Sequence, residues 1–427
     1  MSELIVKNDS KPLQLIHFKF YIMDYVRIGT TYYKKVRKPL VSGDTVENML
    51  AWSVECIKQD HGKHFLSSIP RFDGFCLVPS HLEYRREIAN FYNRYHPFQH
   101  QPIPGYPTQT LNFLKHVFGE QLDVGLDYLK IMLMYPTQVL PILCLVSTER
   151  NTGKTTFLNF LKALFGDNMT INRNEDFRSN FNSEWASKLI IGVDETLLDR
   201  KEDSERIKSL STSKYYKVES KGFDRQEIEF FGKFVFCSNN EVNFITMDLE
   251  EIRYWVRRLK VLEKENNKML DELTTELPVF VHYLLERPFT TEHTTRMWFR
   301  PDQLMTSALK KIKRFNRNKL DVEMSQLLLS ILDSRYSINE ISFTLSDIQD
   351  WLAKKGFRHD SSTIRNVLQT TWQLKPVPNS LTYLQYKFGI DGIYEYNSKG
   401  RFYTVTKKLV LSLNNLDEFD AEVINTC

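Results

Sequence analysis

An apolar run, "PILCLV" (Pro141–Val146), leads through "STERNTGKTT" (Ser147–Thr156) into a helical pattern, "TTFLNFLKALFG", stopped at Gly166. No other stretch of the chain restricts the fold as much. A buried strand must aim its end at a helix N-terminus, and the loop between them must turn backbone N–H groups toward an anion. Gly153-Lys154-Thr155 completes the P-loop pattern G-x-x-x-x-G-K-[ST], but Thr148 stands where that pattern has its first glycine. The leading glycine eases the tight turn out of the strand, so a threonine fits there if its backbone conformation is ordinary. Gly153 lies where close phosphate approach leaves least room for a side chain. In this reading Asn151, Thr152, Gly153, Lys154, Thr155 and Thr156 surround a bound ATP. Lys154 reaches the β- and γ-phosphates, and the Thr155 hydroxyl ligates Mg2+.

Two more apolar runs, "KLIIGVD" (Lys188–Asp194) and "KFVFCSN" (Lys233–Asn239), alternate with helical stretches. That alternation is the texture of an α/β fold with a parallel sheet. A fourth run, "YWVRRLKVL" (Tyr254–Leu262), is more polar and suits an edge strand. Asp194 closes the second run, where a carboxylate holds Mg2+ through its water shell. Glu195 beside it is placed to take a proton from an attacking water. Ser238-Asn239-Asn240 closes the third run, and an amide there would sit beside the γ-phosphate and orient the water, although asparagine at a strand end is also a common turn former.

At 427 residues the chain is expected to form two to four domains. Its 42% hydrophobic and 26% charged residues fit a globular protein rather than a disordered one. A net charge of +4 permits a nucleic-acid partner without demanding one. Five scattered cysteines, with no C-x-x-C pair, argue against a zinc ribbon or a disulfide framework. Cys144 and Cys237 lie inside apolar runs and read as core residues. The N-terminus does not read as a signal peptide and no apolar run reaches membrane-spanning length, so the expected location is a reducing cytoplasm.

Residues 1 to about 100 read as mixed, with a strand-like "FKFYIMDYVRI" and a helix-like "HLEYRREIANFYNRY". A Pro-rich linker or extended segment follows (His96–Thr110), then the helical stretch "TLNFLKHVFGEQLDVGLDYLKIMLMYP" ending at Pro136. Beyond Leu262 the chain reads as helical up to a basic run, Lys310–Lys319. Three short helices are then expected in "DVEMSQLLLSILDSR", "TLSDIQDWLAKKG" and "DSSTIRNVLQTTW". Ser346 caps the second, and Ser361 or Ser362 the third. A hairpin in "GIYEYNSKGRFYTVTKK", turning at Asn397–Gly400, would complete a winged helix. Arg365 and Lys399 would then be its DNA contacts.

The order of P-loop, Asp-Glu and Asn on successive strands, from about Thr110 to Leu262, resembles superfamily 3 helicases. These are the AAA+-type replication helicases of small DNA viruses, phages and plasmids. "ERNTGKTT" is similar to that family's first motif, with Thr148 the atypical position; "IIGVDET" and "FVFCSNN" are similar to its second and third, with Asn239 the sensor. The upstream approach and the tail further resemble phage and plasmid primase-helicases.

The resemblance implies an AAA+-like α/β ATPase core over residues 139–300. Before it would come an N-terminal accessory region (1–105) and a helical collar or oligomerisation segment (106–138), and after it a winged-helix domain (301–427). The N-terminal hundred residues are short for a primase domain. The implied activity is ATP-dependent unwinding by a homo-oligomeric ring, a hexamer, moving 3′ to 5′ on single-stranded or forked DNA. Its setting would be replication of a mobile element in a host cytoplasm, with a primase or other replication protein as partner and no membrane. The family completes its ATP site with an arginine from the neighbouring subunit, and among Arg253, Arg257 and Arg258 the first fits best. The family's channel hairpin matches "IKSLSTSKYYKVESKGFDRQEIEFF", with Lys221-Gly222-Phe223 at the tip. There Lys221, Phe223 and Lys217 would contact DNA. Two other readings use the same residues: a DNA-binding initiator or regulator with ATP as an assembly switch, and a remodelling or packaging ATPase. Glu195 weighs against a switch that only binds ATP.

Overall fold

The computed structural model describes residues 24–39, 41, 45–177, 183–198, 201–218, 226–247, 251–264, 266–316, 319–334, 337–389 and 392–414. The chain divides into two compact units, Met1–Thr246 with Ile252–Leu309, and Met247–Glu251 with Lys310–Cys427.

The first unit is built on a five-stranded sheet. Its strands are β1 (Ile142–Val146), β2 (Met169–Asn172), β3 (Ile190–Val193), β4 (Lys233–Ser238) and β5 (Tyr254–Arg258). Their order is β5-β1-β4-β3-β2, and every neighbouring pair is parallel. Parallel strands are covered on both faces, which is why β1, β3 and β4 are apolar runs buried throughout. Cys144 and Cys237 are buried in β1 and β4, as their surroundings in the sequence imply. β5 is an edge strand, as expected. β2 has no counterpart in the sequence reading: "MTIN" is four residues long and only Met169 and Asn172 are buried.

Five helices matter here: α1 (Thr108–Phe118), α2 (Leu122–Met134), α3 (Lys154–Phe165), α4 (Lys201–Leu210) and α5 (Met269–Glu286). The long helical stretch before β1 is two helices, broken at Gly119, whose φ of +53° is left-handed. A Cβ at Gly119 would also stand 2.7 Å from Arg257 Nη2. Phe118, at the end of α1, stacks on Trp255 of β5 with centroids 5.2 Å apart and planes at 6°. Such a pair contributes about 0.5–1.5 kcal/mol beyond its buried area. On α2 the fully buried Asp127 pairs with Arg287 and accepts hydrogen bonds from the N–H and hydroxyl groups of Thr290 and Thr291 at 2.8–3.0 Å. This satisfied carboxylate ties α2 to the segment that follows α5. No helix among the described residues is long and apolar enough to cross a membrane.

The N-terminal part of this unit is β-rich. Strands Thr31–Pro39, Thr45–Ala51, Tyr25–Ile28 and Arg71–Phe72 form one small sheet. The expected helix in "HLEYRREIANFYNRY" is absent. Glu87–Ile88 and Phe91–Asn93 pair antiparallel instead, around Ala89 (φ +46°) and Asn90 (φ +64°). Two consecutive left-handed residues make the tight hairpin turn whose twist matches the flanking strands, and no helix survives them.

The second unit contains helices Lys319–Ser334, Leu345–Lys354 and Ser361–Asn366, close to the three helical segments expected. Their caps are elsewhere. Thr344, extended in backbone, accepts from the Asp347 N–H in a capping box, and Asp360 accepts from the Thr363 N–H. Ser346, Ser361 and Ser362 lie inside the first turns, so none is a cap. The hairpin also differs. Gly392–Gly400 is one continuous strand paired with Leu381–Gly389, and Asn397 and Gly400 sit opposite Leu384 and Leu381 within the ladder. The following strand, Tyr403–Thr406, pairs with Glu340–Phe343.

Candidate nucleotide site

Three strand tips meet at the carboxyl edge of the sheet. Val146 lies in register with both Ser238 and Arg258, and Val193 pairs with Phe236. Ser147 therefore leaves the sheet level with Asn239, and Asp194 leaves it level with Cys237, two residues earlier on β4. The tips are stitched together: the Ser147 N–H donates to the Ser238 carbonyl (3.2 Å), the Thr196 N–H to the Cys237 carbonyl (2.6 Å), and Ser238 Oγ to the Thr196 carbonyl (2.8 Å). Above them Thr155 Oγ1 donates to Asp194 Oδ2 at 2.8 Å, joining the Gly-Lys-Thr loop directly to the acid at the end of β3.

Thr148 does not have a positive φ. The left-handed residues of the loop are Asn151 (φ +53°) and Gly153 (φ +85°). Asparagine is among the few side chains that tolerate that region. At Gly153 a Cβ would stand 3.1 Å from Phe113 Cε2 of α1, so both conformation and space require glycine. Gly153 caps α3 without any side-chain hydrogen bond, and the first-turn N–H groups of the helix have no side-chain cap. The loop is braced on two sides, by His116 Nε2 on the Thr152 carbonyl (3.0 Å) and by the Leu262 N–H on the Asn151 carbonyl (3.0 Å).

Lys154 is 8% exposed. Its Nζ donates to the Ser147 carbonyl (3.2 Å) and to Thr152 Oγ1 (3.1 Å). No ion pair holds it among the described residues. Burial pulls its ammonium below the ordinary lysine range, while Cys237, Asp194 and Glu241 act in the opposite direction. Thr152 is buried, Thr156 half-buried and Thr155 exposed at the helix start.

Glu195 is exposed and left-handed, with φ +56°. Non-glycine residues held there cost about 1–3 kcal/mol and persist only where neighbours enforce them. Asn174 is that neighbour: its Nδ2 donates to the Glu195 carbonyl (3.2 Å) and its Oδ1 accepts from the Leu197 N–H (3.0 Å). The two adjacent asparagines divide the possibilities of the sequence. Asn240 builds the turn, accepting from the Val242 and Asn243 N–H groups at 3.0 and 2.8 Å. Asn239 is exposed and makes no side-chain hydrogen bond among the described residues.

The three arginines occupy different places. Arg257 is buried and held by Glu120 (2.6 Å) and Gln121 (2.9 Å), and the same contact lowers the Glu120 carboxyl to about 2. Arg258 closes β5 at the tip edge, where its Nε meets Glu241 Oε1 at 2.6 Å. Arg253 precedes β5, and its carbonyl accepts from the Ile142 N–H that opens β1. It therefore stands at the amino edge of the sheet, away from Lys154 of its own chain. Asn174 and the buried Glu241 were not singled out in the sequence; the only signal for Glu241 is an acid two residues past Asn239.

Strands Tyr215–Val218 and Gln226–Glu229 pair antiparallel where the channel hairpin is expected. Tyr216 packs on Trp185 and Phe230, and its hydroxyl accepts from Arg206 of α4. Lys217 is exposed on the other face, in register with Glu227. Lys221 and Phe223 lie outside the described residues.

Sheet, loop and helix together define a mixed α/β core of the P-loop-like kind. Residues 145–258, from β1 to the end of β5, match the model of a family of unknown function (DUF5906). Among solved structures, the chain is similar to the apo structure of the NrS-1 C-terminal region (305–718), with a TM-score of 0.60 and 14% identity over 90% of this chain and 95% of that one. An A-form apo structure of the same region gives 0.60 and 15%, over 87% and 94%. No curated protein matches. At these identities the likeness is one of fold.

Proposed function

We propose that this protein is an ATP-dependent DNA helicase of the superfamily 3 type, acting as a ring in the replication of a mobile element. The observation that carries the reading is the Thr155–Asp194 hydrogen bond, made where the tips of β1, β3 and β4 converge. A threonine hydroxyl and an Asp carboxylate in contact are the hard oxygen pair that suits Mg2+. When bound, that ion neutralises charge on the β- and γ-phosphate oxygens. Lys154 exchanges its carbonyl and hydroxyl partners for phosphate oxygens, and the uncapped N–H groups of α3 face the same anion. Glu195 acts as general base, its backbone fixed by Asn174, and Asn239 orients the water. Arg253, on the opposite sheet edge, completes the site of the neighbouring subunit, which makes ring assembly a condition for turnover. The hairpin holds single-stranded DNA through Lys221, Phe223 and Lys217, and residues 301–427 serve as a winged helix. Movement is 3′ to 5′, the ring is a hexamer, and a primase is a further partner.

Lys154→Ala and Glu195→Gln are each expected to abolish ATP hydrolysis stimulated by single-stranded DNA, with nucleotide binding lost only in the first. Full turnover by either variant rejects the site. Strand displacement on a forked duplex separates a helicase from an initiator that hydrolyses ATP without unwinding.

A further inference from the structure

Helix α1, expected from the sequence as part of a collar, is the wall against which the Gly-Lys-Thr loop is built. Phe113 and His116 are three residues apart and so share one face of the helix. Both meet the loop: the Phe113 ring stands against Gly153, and His116 Nε2 lies 3.0 Å from the Thr152 carbonyl. A carbonyl only accepts, so Nε2 carries a proton of this imidazole. The helix is itself held by Glu276 of α5. That carboxylate accepts from the Gln109 N–H (3.1 Å), the Thr110 N–H (2.8 Å) and the Thr110 hydroxyl (2.8 Å).

Peptide geometry then fixes where the loop donors point. In a planar trans peptide the C=O and the following N–H face opposite ways. No peptide bond among the described residues is cis. His116 draws the Thr152 carbonyl toward α1, which turns the Gly153 N–H away from that helix. The Leu262 N–H does the same one peptide earlier: it holds the Asn151 carbonyl at 3.0 Å and turns the Thr152 N–H away. Among the described residues neither of these N–H groups donates to another group. Successive unpaired N–H groups ahead of a helix start are the donor arrangement that anions occupy. Thr152 also meets the neighbouring lysine, since its Oγ1 accepts from Lys154 Nζ at 3.1 Å. Thr152, 2% exposed, is thus gripped at both carbonyl and hydroxyl.

We propose that His116 is a positioning residue for the triphosphate. By anchoring the Thr152 carbonyl it aims the Gly153 N–H at phosphate oxygens and keeps Thr152 Oγ1 in place beside Lys154. The role rests on the nucleotide reading and goes beyond it, because His116 lies outside the P-loop motif and acts through Thr152. It also accounts for the missing leading glycine. α1 and Leu262 impose the shape of this loop, and the Leu262 bond restrains Asn151 in its left-handed backbone (φ +53°).

Equilibrium binding of a fluorescent ATP analogue with Mg2+ to the full chain, with ATP turnover measured alongside, tests this. His116→Ala frees the carbonyl and is expected to weaken binding about tenfold, the loss of one hydrogen bond to a charged group. KM for ATP should rise by a similar factor with kcat changed far less, since the contact serves ground state and transition state alike. His116→Gln, whose amide nitrogen reaches about as far as Nε2, should restore the affinity. His116→Asn, one methylene shorter, should bind as weakly as His116→Ala. The Gln and Asn variants keep the test decisive if the alanine variant fails to fold. Unchanged affinity in a folded His116→Ala, or equal affinity in the Gln and Asn variants, overturns the role of His116 and leaves the nucleotide site standing. A natural chain that binds no Mg2+-ATP overturns the site and the role together.

Discussion

The substituted leading glycine of the P-loop leads to a paired prediction, Gly153→Ala against Thr148→Gly. Gly153 has φ +85°, where an L side chain costs about 1–2 kcal/mol. The added Cβ would stand 3.1 Å from Phe113 Cε2 and 3.8 Å from Leu262 Cδ1. Phe113 is 5% exposed and packed against Phe160, so it has little room to retreat. Overpacking of that kind adds about 1–3 kcal/mol. The sum, about 2–5 kcal/mol, is the expected loss of stability in urea denaturation. ATP turnover of the molecules that remain folded should fall more than about tenfold, because the shift displaces the loop by a fraction of an ångström where geometry governs rate. Thr148 is exposed and its φ is not positive. Restoring the consensus glycine there relaxes no strain and only frees the unfolded chain, a loss of about 0.4–1 kcal/mol with turnover unchanged. A stable, fully active Gly153→Ala would refute the reasoning. So would a Thr148→Gly variant that turns over ATP faster than the natural chain.

Lys233 is fully buried at the start of β4, bonded to the carbonyls of Pro136 and Phe231, and burial lowers its pKa to about 7. Between pH 7 and the unfolded value near 10.4, the unfolded chain binds a proton that the folded chain has released, so this lysine makes stability rise with pH. Lys233→Met removes that slope. Its stability relative to the natural chain should decline by roughly 2–3 kcal/mol between pH 7.5 and 9.5 in denaturant titrations, and a pH-independent difference would contradict the assignment. If the site is shared between subunits as proposed, Arg253→Ala and Lys154→Ala are each expected to be inactive alone. Mixed in equal amounts with subunit exchange, they should recover about a quarter of wild-type turnover, since one half of the loops meets one half of the arginines. No recovery would remove Arg253 from the site.

What could be read from the sequence follows from how each element is stabilised. β1, β3 and β4 are buried on both faces, so they are apolar runs, and the polar residues at their tips stand out against them. β2 lies at the sheet edge, four residues long with only its first and last residues buried, and so carries neither an apolar run nor an alternation. In "HLEYRREIANFYNRY" the apolar spacing suits a helix, but the turn at Ala89 and Asn90 is decided by pairing with Tyr92 and Phe91, which no local pattern reports. Asn397–Gly400 has the composition of a turn and is held straight by Leu381–Gly389 across the ladder. The caps slipped by one or two residues because Thr344 and Ser346, or Asp360 and Ser361, are chemically interchangeable until backbone angles choose between them.

The site divides along the same line. Lys154, Thr155 and Asp194 follow from residue type and order, because strand ends and a helix start leave few places for them. The separation of Arg253 from Arg257 rests on partners more than a hundred residues away, Ile142 and Glu120, whereas Asn240 is set apart from Asn239 by a local turn onto the Val242 and Asn243 N–H groups. The P-loop pattern itself is a sequence shadow of backbone angles. This loop needs left-handed residues at 151 and 153, supplied by asparagine and glycine, and none at 148. A glycine required by conformation cannot be exchanged, and one required only by a motif can, which is why the chain keeps the second and does without the first.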